Sequence, residues 1–145
     1  MYRIYLDFDG VVAPLKPVVE DEQDWVAVNM PYTGRTLARK EVLYFLSRFE
    51  GEIVWVTHRD PEDIQHFAEV TGIPTFRHLA FDDSTGSKVQ AIWDDLDANP
   101  LPDPEDAVVT DDDIENLLVS VPVYKPNGDY GLDVQDFKYQ VLGEY

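Results

Sequence analysis

Arg3-Ile4-Tyr5-Leu6-Asp7-Phe8-Asp9-Gly10-Val11-Val12 is the stretch on which the reading of this chain turns. Its first five residues have the β-branched and aromatic content of a strand, and the run then meets two carboxylates separated by Phe8. Side chains at that spacing can face one point if the chain leaves extended geometry just there. Gly10 permits such a turn, because it tolerates dihedrals that other residues avoid.

Working outward, apolar strand-like runs alternate with amphipathic helix-like runs, the pattern of an α/β domain with a mainly parallel sheet. Glu52-Ile53-Val54-Trp55-Val56-Thr57 is a near-continuous apolar run of the kind that parallel sheets bury on both faces. Asp60-Pro61-Glu62 then supplies an N-cap, a proline at the first helical position and an early acid. The helix they open carries Ile64, Phe67 and Ala68 and runs to Gly72. A short strand is expected within 76–81. Ser84 or Thr85 opens a helix over 87–96, with Val89, Ile92, Trp93 and Leu96 on one side. Residues 107–110 form another strand, followed by Asp111-Asp112-Asp113 and a short helix through Leu118. Residues 119–124 read as a last strand, and Asp133 caps a final helix holding Val134, Phe137 and Val141. Residues 11–35, with prolines at 14, 17 and 31, read as a long ordered loop with room for a small hairpin. Thr36 is expected to cap a helix that runs to about Phe49 and ends at Gly51. No repeat or linker interrupts the pattern, so the expectation is one domain over 1–145 with a five-stranded, mainly parallel sheet.

Bulk properties narrow the function classes. The chain has 145 residues, 44% of them hydrophobic, enough for a core. Lys and Arg number 11 against 29 Asp and Glu, a net charge of −18. A field of that sign repels long nucleic acid and anionic membrane. There is no cysteine, hence no thiolate nucleophile or metal site. No apolar run reaches the roughly 18 residues that span a bilayer, and the N-terminus is too short for a signal peptide before its acidic motif, so a cytoplasmic location is expected.

Four sites fall at the C-terminal ends of predicted strands or the start of a helix: Asp7-Phe8-Asp9-Gly10-Val11; Thr57, followed by His58 and Arg59; Lys88, after Ser84-Thr85-Gly86-Ser87; and Asp111-Asp112, after Val108-Val109-Thr110. An open parallel sheet places its ligands at that edge. Adjacent acids after a buried strand are costly unless they meet a cation or solvent. Taken in this order, from about Tyr2 to Leu118, the set resembles the haloacid dehalogenase superfamily.

The resemblance implies a Rossmann-like three-layer sandwich whose cap is absent or minimal, since residues 11–35 are too few for a full helical cap. It implies Asp7 as nucleophile, Asp9 as acid/base, and Thr57 and Lys88 as ligands of the substrate phosphate, with Gly10 and His58 beside it. It implies Mg²⁺ held by Asp7, the backbone carbonyl of Asp9, and Asp111, with Asp112 as the water-mediated partner. The activity implied is hydrolysis of a small phosphomonoester through an aspartyl-phosphate. The first motif is similar to those of 5′(3′)-deoxyribonucleotidases and of the phosphatase halves of nucleic-acid repair enzymes, which brings nucleotides and polynucleotide ends into view. A silent binding module of the same fold and a receiver-like domain are the other readings. The latter would draw its third-strand acid from Asp82 or Asp83. Lys125, also after a strand, competes with Lys88. Trp25, Tyr32 and Arg35 are candidates for the site entrance, with core packing or surface exposure as an equal reading for each, and Arg59 is expected to pair with an acid.

Overall fold

The computed structural model describes residues 2–81, 87–114 and 121–143. Five strands, β1 (Arg3–Leu6), β4 (Glu52–Trp55), β5 (Arg77–His78), β6 (Ala107–Thr110) and β7 (Val123–Tyr124), form one sheet in the order β5-β4-β1-β6-β7, with every neighbouring pair parallel. Successive side chains on a strand face opposite ways, and the core divides accordingly. Ile4, Leu6, Ile53, Trp55 and Val108 pack on one face with α1 (Lys40–Ser47), α2 (Pro61–Thr71) and α4 (Val134–Phe137). Tyr5, Val54, Val56 and Val109 pack on the other with α3 (Lys88–Ala98). The result is an α/β three-layer sandwich of the Rossmann-like kind expected.

Local capping follows the sequence closely. The Asp60 side chain accepts from the Glu62 N–H, Pro61 opens α2, and the helix stops at Gly72. Ser87, rather than Ser84 or Thr85, caps α3 by accepting from the Gln90 N–H. Ser84 and Thr85 lie outside the described residues, as do Asp82 and Asp83, the short helix through Leu118 and the start of the strand expected at 119. Asp133 caps α4, which widens into a π turn over Lys138–Leu142.

The stretch before α1 departs from expectation. Thr36 caps no helix. It lies in β3 (Gly34–Arg39), opposite Val28 of β2 (Trp25–Met30), in an antiparallel hairpin. The two segments alternate inward and outward, with Val28, Met30, Thr36 and Ala38 buried and Ala27, Asn29 and Arg35 exposed. That two-residue period, either side of a turn at Pro31-Tyr32-Thr33, outweighs the local capping preference of Thr36. α1 therefore starts at Lys40, without a side-chain cap, and ends before Gly51.

Topology fixes where a site can form. From β1 the chain moves out to β4 and β5, then returns to β6 and β7 on the other side of β1. The crevice at such a reversal, beyond the carboxyl ends of the strands, is the ligand position of open α/β sheets. Here it opens between the ends of β1 and β6.

Candidate active site

The β1–β6 register pairs Leu6 with Thr110, so the residues that follow, Asp7 and Asp111, emerge side by side. The Asp7 N–H donates to the Thr110 carbonyl at 3.0 Å and holds that alignment. Lys88, in the first turn of α3, reaches between them from the other layer. Its Nζ lies 3.2 Å from Asp7 Oδ1 and 2.9 Å from Asp111 Oδ2. Asp112 joins from the next position, and the carboxylates of Asp7, Asp111 and Asp112 each bring an oxygen within 4.8 Å of the others. Among the described residues this is the one group of acids that converges so closely.

Two glycines make room for Asp112. Gly10 turns with φ 81°, and a Cβ there would collide with the Asp112 carboxylate, as would one at Gly128. Any side chain at either position would displace Asp112, and at Gly10 it would also strain the backbone. Gly10 therefore serves the turn that the sequence suggests and the close approach of an acid that it does not.

The electrostatics show an acid excess. Burial pushes the Asp7 carboxyl up to about 7, opposed by the Lys88 ammonium and reinforced by Asp111. Burial, then Asp111, also raises Asp112. Burial would lower the Lys88 ammonium, but Asp7 and Asp111 outweigh it and raise it above its ordinary value. Three carboxylates around one ammonium leave two negative charges unbalanced when all are ionised. Such an excess in a half-buried crevice is relieved by protonation, as the raised Asp7 and Asp112 carboxyls show, or by a cation.

The other predicted residues are placed as follows. Asp9, His58, Lys88, Asp111 and Asp112 line a cavity of about 500 Å³ with Asp7, and Leu15 and Val89 add apolar wall to it. His58 is exposed, its ring edge-on to Phe81 at 4.7 Å. Thr57 is buried, outside the lining, and its Oγ1 accepts from the Arg59 N–H at 3.2 Å. Lys125 is exposed and does not line the cavity, so Lys88 is the lysine that the fold brings to the acids. Asp113 donates its N–H to Asp111 Oδ1, orienting that carboxylate.

Compared with models of known families, with curated proteins and with solved structures, the chain matches none. The site must speak through its own geometry.

Asp9 is the residue whose surroundings the sequence left open. Both of its carboxylate oxygens accept from Arg59, Oδ2 from Nε at 2.9 Å and Oδ1 from Nη2 at 2.8 Å. Arg59 was expected to pair with an acid, and this is the acid. Trp25, Tyr32 and Arg35 do not line the cavity. Trp25 stacks beneath Arg39, Tyr32 bonds to α2, and Arg35 faces solvent opposite Asn29. They belong to a hairpin whose pairing turns them elsewhere. Among the described residues, larger clefts, between α1 and the C-terminal turn and between α2 and β5, hold no converging set of acids.

Proposed function

We propose that this chain is a Mg²⁺-dependent phosphomonoester hydrolase of the haloacid dehalogenase type, working through an aspartyl-phosphate on Asp7. One observation carries the reading: Asp7, Asp111 and Asp112 converge at the sheet's reversal point, Asp7 and Asp111 on Lys88, with two negative charges in excess when all are ionised. The donors are all carboxylate oxygens and one side of the cluster opens on the cavity. That suits a hard cation that keeps several waters and takes few protein ligands. Asp7, Asp111 and Asp112 would hold it, and when bound it would screen carboxylate from phosphate and spread transition-state charge.

The chain's own groups supply the rest. An Asp7 oxygen attacks phosphorus, forming the O–P bond as the ester P–O bond breaks. Lys88, already bonded to Asp7 and Asp111, faces the developing phosphoryl charge. Asp9 gives a proton to the departing ester oxygen. It then takes one from the water that attacks phosphorus and releases phosphate and free Asp7. Arginine occupies one lone pair on each Asp9 oxygen, and a carboxylate oxygen has a second with which to accept a proton. The Thr57 hydroxyl accepts from Arg59 and keeps its own proton to donate. A net charge of −18 favours small esters, nucleotides among them, over polynucleotide ends.

A second reading, a phosphate- and metal-binding module without turnover, is favoured by the bidentate hold of Arg59 on Asp9. The deciding experiment is p-nitrophenyl phosphate hydrolysis by wild type and Asp7→Asn, with Mg²⁺ and with EDTA. Turnover that needs Mg²⁺ and falls at least ~10³-fold in Asp7→Asn supports the hydrolase. Saturable Mg²⁺ binding by a folded wild type without turnover supports the module.

A further inference from the structure

Arg59 is fixed by more than Asp9. Its Nη1 donates to Thr33 Oγ1, and its guanidinium lies over the Phe8 ring at 5.1 Å. Thr33 is at the tip of the β2–β3 hairpin, far from the nucleophile in sequence. The same Thr33 hydroxyl donates to Asp63 Oδ2 at 2.8 Å. A hydroxyl has one proton. Given to Asp63, it leaves only lone pairs to face Arg59, so the direction of each bond in the chain is set.

Asp63 is the unusual member. It sits in the first turn of α2, where an acid suits the helix N-terminus, yet it is 0% exposed. A buried carboxylate needs its lone pairs filled, and the hairpin tip fills them: the Tyr32 N–H donates to Oδ1 at 2.9 Å and Thr33 to Oδ2. Tyr32 adds a second tie, its hydroxyl donating to Glu62 Oε2 at 2.7 Å. The tip is thereby latched to α2 by a group that has no other visible reason to be buried.

We propose that the hairpin tip positions the acid/base of the site: Asp63 orients Thr33, Thr33 orients Arg59, and Arg59 fixes the carboxylate of Asp9. Thr33, Asp63 and Arg59 are positioning residues in this relay, whose catalytic meaning rests on the hydrolase reading. Asp63→Asn keeps the shape but presents an NH₂ group either to the Tyr32 N–H or to the Thr33 hydroxyl. One choice sets donor against donor, and the other turns the hydroxyl proton toward Arg59. Thr33→Val removes the link while leaving size nearly unchanged, and Thr33→Ser keeps it.

The test compares kcat/KM on p-nitrophenyl phosphate and β-glycerol phosphate for wild type, Thr33→Ser, Thr33→Val and Asp63→Asn, with saturating Mg²⁺. Nitrophenolate departs with little help from an acid, whereas an alkoxide needs the proton, so misplacing Asp9 falls on the second ester. Thr33→Val and Asp63→Asn are expected to lose ~10-fold on glycerol phosphate and less than ~3-fold on the nitrophenyl ester, with Thr33→Ser within ~2-fold of wild type on both. In parallel, the ¹H–¹⁵N resonance of Arg59 Nε–H should stay sharp in wild type and Thr33→Ser and broaden in Thr33→Val. Equal losses on both esters, or an Arg59 resonance that ignores Thr33→Val, overturn the relay. If wild type hydrolyses neither ester, the hydrolase reading fails. The Arg59 resonance then decides the relay alone, supporting it if Thr33→Val broadens the signal and overturning it if not.

Discussion

Two charged clusters sit at opposite ends of the same sheet, and they are built to opposite ends. At the strand starts, Arg3 and Arg77 face Glu52 and Asp95, with the Tyr5 hydroxyl donating to Asp95 at 2.7 Å. Arg77 grips Asp95 with two bonds of 2.7 Å, and Arg3 donates to the Asn99 carbonyl at the end of α3. Two cations meet two anions, and each group has a partner. At the strand ends, Asp7 and Asp111 share Lys88, and Asp112 crowds beside them. Both clusters are largely buried, so burial does not distinguish them; closure does. The first fastens α3 to the sheet and is complete as folded. The second is left with an excess of negative charge, which folding alone would not favour and which the proposed function would put to use.

That contrast can be broken most sharply at Asp7. Asp7→Asn should abolish turnover and yet raise the thermal midpoint in EDTA at pH 8, by ~5 °C, because it removes a buried like charge. The two clusters also predict opposite pH limbs. Asp7 is raised to about 7, so the folded protein binds its proton more tightly than the unfolded chain. Its contribution is full below about pH 4 and is lost as pH rises through about 7. Burial alone would raise Asp95, but hydrogen bonds from Arg77 and Tyr5 and the charges of Arg77 and Arg3 outweigh it and lower it. Its contribution is present above about pH 4 and is lost as pH falls through the lowered value. Thermal midpoints in EDTA across pH 3–9 should show Asp7→Asn flattening the neutral limb and Asp95→Asn the acid limb.

Lys88→Gln tests the excess from the other side. It should cut turnover ~10²-fold while tightening Mg²⁺ binding, since under the proposed function the ammonium would both serve the phosphate and compete with the cation. Calorimetric titration with Mg²⁺ measures the second effect, and weakened binding would refute the charge argument. Asp95→Asn should cost ~3 kcal/mol by leaving buried guanidinium groups without their carboxylate, with turnover per folded molecule unchanged. Urea unfolding checks it. The smallest effect belongs to Lys16, whose side chain is 78% exposed and lies 3.7 Å from Asp129. Lys16→Ala should change urea stability by less than ~0.5 kcal/mol, the worth of an exposed pair.

Much of this was legible in the chain. Ile53, Val54, Trp55 and Val56 are buried on both faces, so their run betrays a central parallel strand whatever its partners. Asp60-Pro61 and Ser87 act on N–H groups within a few residues, so the α2 cap could be read from sequence and the α3 start nearly so. The hairpin was obscured because Thr36 carries two local signals, cap and strand, and only pairing with Val28 chooses between them. Asp63 looks like an ordinary first-turn acid. Nothing local says that a turn thirty residues earlier folds over it and buries it. Arg59 had an excess of acids to choose from, and its partner depended on how loop and strand end meet.

Sequence by itself determined the alternation of strands and helices, the acids at strand ends and the absence of thiol chemistry, because these follow from side-chain type and short-range periodicity. Tertiary structure alone decided which acids converge, which lysine stands among them and what holds Asp9. Those facts depend on strand order and register, and a single parallel pairing, Leu6 with Thr110, sets Asp7 beside Asp111 across more than a hundred residues of chain.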